Sequence, residues 1–181
     1  RSTLFPYTTL FRSNLSGAIY HGGAGSVSVV NSSFVNSSAS AGGAIFYYGA
    51  GSFSVFNCTF TNSSANKSGG AIFADGNAGS VTIVNSRFVN SSASAGHGGV
   101  ISADGNVSVV NSSFVNSSAG NFGGVISADG NAGSVSVVNS SFVNSSATGY
   151  GGVISAQGSV SVVNSSFVNS SATGYGGVIS A

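Results

Sequence analysis

Ionisable side chains are scarce in this 181-residue chain, which carries three Asp, four Lys or Arg, two His and one Cys. Asp75, Asp104 and Asp129 each stand in an Ala-Asp-Gly context, and Tyr48 and Gln157 fill the corresponding places before and after them. Carboxylates aligned in this way suit calcium binding or the chemistry of a polysaccharide lyase or hydrolase. The pattern lacks a second carboxylate in each repeat and a neighbouring Lys or Arg. The reading adopted is therefore a solvated Asp-Gly turn, in which a residue tolerant of the left-handed conformation precedes glycine. His21 and His97 are isolated and make no metal site. Cys58 replaces a serine found at Ser32, Ser86, Ser112, Ser140 and Ser165, and has no intrachain disulfide partner. No catalytic residue, cofactor or metal is expected.

A second set of residues offers contact in place of chemistry. Immediately before each of a series of Gly-Gly pairs stand Ala41, Ser68, His97, Phe122, Tyr150 and Tyr175. His97, Phe122, Tyr150 and Tyr175 put a ring there in four successive repeats, the candidate contact for a ligand or partner. An exposed column of this kind is a platform for sugar rings or a protein partner. The competing reading is inter-coil packing against the loops.

These positions are set by a repeat. Residues 107–119, VSVVNSSFVNSSA, recur six times with little change, each time followed by a glycine pair. The phenylalanines Phe34, Phe60, Phe88, Phe114, Phe142 and Phe167 follow one another at 26, 28, 26, 28 and 25 residues. A fixed period in this range is the signature of a stacked solenoid. Within residues 98–119, residues 100–103, 107–110 and 113–117 read as short strands, separated by Asp-Gly-Asn and Asn-Ser breakers. No segment has a helical period or length. The expectation is an all-β, right-handed parallel β-helix of about six coils with three short strands per coil, its handedness following the rule for parallel crossovers.

Alternation along a strand assigns the faces. Val81, Ile83 and Phe88 point inward, Thr82 and Val89 outward, and Arg87 faces water. The phenylalanines form a continuous internal spine, and Ile45, Ile72, Ile101, Ile126, Ile154 and Ile179 a second internal column. Asn36, Asn62, Asn90, Asn116, Asn144 and Asn169 form a structural ladder after each Phe; a second Asn column, Asn31 to Asn164, precedes it. Amides in register hydrogen-bond along a stack. Many of these asparagines open N-x-[ST] sequons, and the ladder is preferred to glycan attachment because a stacked amide has no room for a sugar. The glycine pairs mark a corner where a Cβ would crowd the next coil.

Residues 1–13 stand outside the pattern: they hold the single Pro, two of the four basic residues, and no Gly or Asn. Residues 3–13, TLFPYTTLFRS, resemble the translation of a common short-read sequencing adapter. Residues 1–13 are read as an adapter-derived segment that takes no part in the repeat fold. The repeat domain is residues 14–181, read as a fragment incomplete at both ends. The whole chain has a formal charge of +1; without the first thirteen residues, Lys67 and Arg87 face three aspartates and the balance becomes −1. At 4% charged residues there is no electrostatic footprint for nucleic acid or an anionic membrane, and no apolar run approaches the ~18–20 residues of a membrane helix.

The alternation of GGAI, at residues 42–45 and 69–72, with F-x-x-N, as FVNS at Phe34 and FTNS at Phe60, resembles the repeats of chlamydial polymorphic outer membrane proteins. The resemblance covers residues 14–181. It departs from that pattern where GGVI replaces GGAI, at Gly98, Gly123, Gly151 and Gly176, and in the near identity of the coils. It implies an autotransporter adhesin: a β-helical passenger displayed at the cell surface by a C-terminal barrel, which these residues do not contain. The expected role is a structural and adhesive passenger, secreted or surface-displayed, at the outer membrane if the resemblance extends that far. The expected partner is a host-cell surface protein or glycan, with self-association through open solenoid ends and no membrane contact from these residues. The alternative is part of a carbohydrate-active β-helix whose active coils lie elsewhere. An ice-binding hydroxyl array ranks last, because coils of varying length argue against a flat lattice.

Overall fold

The computed structural model describes the backbone of Arg12–Ser13 and residues 15–76, 79–130 and 132–181. Among these residues every regular element is a strand, and all strand pairing is parallel between neighbouring coils. Three sheets run the length of the stack. One seven-stranded sheet joins Ile19–Gly22, Ile45–Tyr48, Ile72–Asp75 and their successors to Ile179–Ser180. A six-stranded sheet joins Val27–Val30 to Val160–Val163, and a ten-stranded sheet carries the F-x-x-N segments. The chain is a parallel β-solenoid of about six turns with three strands per turn. The third strand is longer than expected in three coils, as in Ser113–Ala119, because pairing resumes beyond the bend at Asn116.

Equivalent residues pair directly. Phe88 is opposite Phe60 and Phe114, and the rings of Phe114 and Phe142 lie parallel within 1° with centroids 4.8 Å apart. Phe60, Phe88, Phe114 and Phe142 are fully buried, as are Ile45 to Ile154 in their own column. Val81 and Ile83 are fully buried, Thr82 and Val89 half-buried, and Arg87 is exposed, so strand alternation divides core from surface as the pattern requires. Arg12–Ser13, from the segment set aside on sequence, pairs in parallel with Ser38–Ala39; residues 1–11 lie outside the described residues.

Corners come from two residue types. All twelve asparagines flanking the phenylalanines have positive φ, between 47° and 55°. Asn is the side-chain-bearing residue that most readily visits this left-handed region, and each such residue turns the chain without a loop. At the third corner the first glycine of each pair is left-handed, as in Gly123 (φ 63°), and a Cβ on the second, Gly124, would collide with the Gly152 carbonyl oxygen. The pair is a close approach between coils as well as a turn.

Coil length varies in a confined way. The thirteen residues from Val27 to Ala39 have counterparts of equal length in every later coil, from Phe53, Val81, Val107, Val135 and Val160 onward. Their Val, Phe and Ala columns stay in register. All insertion and deletion lies in the two connections flanking the isoleucine strand. Ala39 to Ile45 is six residues and Ala93 to Ile101 eight; Ile72 to Val81 is nine and Ile101 to Val107 six. The premise that unequal coils spoil a regular face is therefore corrected: the unequal parts are elsewhere.

Candidate functional site

Three groups of side chains stand out on this frame: the Asn and Ser columns at the strand corner, the carboxylate column, and the rings beside the glycine corner.

At the corner, Asn111, Asn139 and Asn164 with Ser112, Ser113, Ser140, Ser141, Ser165 and Ser166 line an open trough of about 620 Å³ running across three coils. It is held by a hydroxyl ladder. The Ser112 hydroxyl donates to the Val110 carbonyl at 2.8 Å, and its oxygen accepts the Ser86 N–H at 3.1 Å. The same motif repeats at Ser86 and Ser140. Cys58 takes a serine's place in this ladder, with its sulfur accepting from the Ser32 N–H at 3.4 Å, and burial pushes its thiol pKa upward. Beyond the Phe, a second ladder links the outer amides: Asn62 donates to Asn36, Asn90 to Asn62, Asn116 to Asn90, Asn144 to Asn116 and Asn169 to Asn144, at 2.9–3.3 Å. These side chains are exposed, so the ladder is stacked on the outside of the corner.

The carboxylates depart from the expected solvated turn. Asp75, Asp104 and Asp129 are half-buried, and none of them has positive φ. Asp75 closes a strand, and the Gly76 N–H donates both to its carboxylate at 2.7 Å and to that of Asp104 at 3.3 Å. Burial and the neighbouring Asp75 raise the Asp104 pKa to about 6. Asp129 accepts the Ser127 hydroxyl at 2.6 Å and lies 3.4 Å from Nδ1 of His97 in the preceding coil. Serine here donates to the carboxylate and not to the imidazole, so the trio lacks the nucleophile-to-base contact of a hydrolytic triad. Among the described residues no group of three or more His, Cys, Asp or Glu could hold a metal ion.

The four sequence-selected rings come together, and they stack on one another. Phe122 and Tyr150 are parallel within 3° at 5.1 Å, Tyr150 and Tyr175 are stacked at 5.3 Å, and His97 is tilted by 58° on Phe122 at 4.7 Å. A ring sandwiched between neighbours turns its edge to solvent, and a sugar platform needs a face. Exposure rises along the column, to 39% at Tyr150 and 75% at Tyr175. The inter-coil packing role is the one this geometry serves.

Sequence reading missed a second set of rings that pack between coils, Tyr20 on Phe46 and Phe46 on Phe73. Tyr20, Phe46 and Phe73 occupy the position that follows the isoleucine in its strand, in register with Ser102, Ser127, Ser155 and Ser180 in later coils. Where that position is aromatic, the residue before the glycine corner is Leu15, Ala41 or Ser68; where it is serine, the residue there is His97, Phe122, Tyr150 or Tyr175. Each coil thus carries one ring in this pair of positions. The signal was present as an exchange of large and small residues five apart.

Compared with protein-family models, with curated proteins and with solved structures, the chain matches none.

Proposed function

We propose that this chain is a structural and adhesive solenoid, the passenger region of a secreted or surface-displayed, autotransporter-like outer membrane protein, with no catalysis of its own. The observation that carries the reading is a contrast within the chain. The outward column of Ser28, Ser54, Thr82, Ser108, Ser136 and Ser161 keeps a hydroxyl in all six coils, and that of Ser38 to Ser171 keeps serine. These side chains are exposed or half-buried and do not build the core. The connections beside the isoleucine strand have meanwhile changed in length and residue type. Connecting segments vary more than the strands they join, but a solvent-facing strand position also accepts Lys, Arg, Gln or Glu, and none has entered these columns. Retention of this face in every coil supports its use as a contact surface, and its near absence of charge supports a neutral partner, a cell-surface glycan or protein, over a polyanion.

The test is retention on cells. Beads coated with the 181-residue chain are expected to hold to an epithelial monolayer under flow. The Ser108→Lys, Ser136→Lys double variant, checked for β-structure by circular dichroism, is expected to lose several-fold in retained beads. Retention no better than that of bare beads would sink the reading.

A carbohydrate-active role is the second reading, favoured by the raised pKa of Asp104 beside Asp75. Incubation with a panel of neutral and acidic polysaccharides separates the two: release of new reducing ends that disappears in Asp104→Asn would establish catalysis.

A further inference from the structure

Among the described residues, thirteen asparagines open an N-x-[ST] sequon, and the structure divides them sharply. Eleven have positive φ and belong to the two corner columns. There the next coil sets an identical asparagine roughly 4.8 Å away, and eight of the eleven have their amides in side-chain bonds to the asparagine above or below. A sugar on any of those eight would have to displace a ladder bond, and the other three, Asn111, Asn139 and Asn164, stand side by side along the trough. Asn106 lies within the strand Asn106–Val110, where its amide oxygen accepts the Ser134 N–H at 2.9 Å.

Asn66 is different in each respect. It follows the short strand Ser64–Ala65, lies outside both columns, and is exposed together with Lys67. Its backbone is anchored from both sides: its N–H donates to the Ala39 carbonyl at 3.2 Å, and its carbonyl accepts the Ala95 N–H at 3.0 Å. Its side-chain amide makes no hydrogen bond to a described residue. The equivalent positions in the adjoining coils are Ser40 and Ser94, small side chains that leave the space above and below it clear. Ser68 completes the sequon in the same turn.

We propose that Asn66 is an N-glycan acceptor, the sequon at which this solenoid carries an oligosaccharide without breaking its stack. In the transfer, Nδ2 of Asn66 attacks the anomeric carbon of a lipid-linked oligosaccharide diphosphate. The new C–N bond replaces the C–O bond to phosphate, the amide loses a proton to the transferase base, and the lipid diphosphate leaves. No electrons change hands. A glycan there projects from the glycine-corner side of the solenoid, beside the Ser64 column, and leaves the trough at the opposite end of the F-x-x-N segment uncovered.

The test is secretion of the 181-residue chain, fused to a cleavable signal, from a eukaryotic host with an oligosaccharyltransferase. The folded, protease-resistant fraction is then treated with a glycosidase in ¹⁸O-water and its asparagines are mapped by mass spectrometry. The expected result is ¹⁸O at Asn66, no ¹⁸O at the corner asparagines, and loss of the glycan mass in Asn66→Gln with unchanged circular dichroism. Folded material that carries sugar on corner asparagines, or that leaves Asn66 unmodified, overturns the proposal. Should Asn66→Gln be secreted poorly, the map of the unmutated chain decides alone.

Discussion

The side-chain amide of Asn116 donates to the amide oxygen of Asn90 at 3.0 Å, across 26 residues of sequence, and both residues hold φ at 55°. One residue type thus bends the chain and ties adjacent coils together. The two tasks can be separated by substitution. Asn116→Gly keeps the backbone conformation and loses the amide bonds; Asn116→Ala loses both, with a left-handed penalty of about 1–2 kcal/mol. In denaturant titrations the Ala variant is expected to unfold at the lower midpoint, although glycine carries the larger entropic cost in the unfolded chain. A Gly variant no more stable than the Ala variant would show that the left-handed conformation is not what selects Asn here.

The glycine corner makes a sharper prediction with a control in the same chain. A Cβ on Gly124 meets the Gly152 carbonyl oxygen and the backbone of Ser146, atoms that cannot swing away; a Cβ on Gly177 meets nothing within 4 Å. Gly124→Ala is expected to cost about 3 kcal/mol as an overpacked site, and Gly177→Ala, in dilute solution where the end of the stack is unpaired, close to nothing. Thermal melts of the two variants beside the parent check this, and equal melting points would contradict it.

Stability should depend on pH through the carboxylate column. Burial and then Asp75 raise the Asp104 pKa from its ordinary 3.8 to about 6. The folded state therefore holds a proton that the unfolded chain has released. The stability contributed by the protonated carboxyl is complete below pH ~4 and is lost as pH rises through about 6. Melting temperature is expected to fall between pH 4 and pH 7, and Asp104→Asn to flatten that profile and raise the melting temperature at neutral pH. A profile unchanged by Asp104→Asn would place the titration elsewhere. Partial exposure of the group keeps the effect small.

Self-association of the 181-residue polypeptide follows from its own repetition. Residues 158–172 are identical with residues 25–39, and the two segments supply the edge strands Val160–Val163 and Val27–Val30 of the six-stranded sheet. Open strand edges at both ends of the stack, Ile19–Gly22 and Val27–Val30 at one and Val160–Val163 and Ile179–Ser180 at the other, are templates for pairing with a second copy, and such heterologous contacts propagate without closing. Light scattering is expected to find species growing with concentration. A monodisperse monomer at high concentration would count against this.

By itself the sequence determined the period, the all-β solenoid and the division of each strand into core and surface. These are local or repetitive properties: Val81, Ile83 and Phe88 alternate with outward residues such as Thr82, Arg87 and Val89 along the chain, and stacking copies them into columns. The Asn corners were half legible; the ladder follows from register, whereas the left-handed φ required asking why Asn, and not Ser or Gln, stands at every bend. Only the tertiary structure decided what crosses between corners. His97 approaches Asp129 because a connection of one coil folds against the end of a strand of the next, and Tyr20, Phe46 and Phe73 pack between coils, as His97, Phe122, Tyr150 and Tyr175 do, from a different sequence position. Spacing along a loop does not specify the direction in which the loop folds. Whether a ring turns its face or its edge outward is set by the coil stacked upon it.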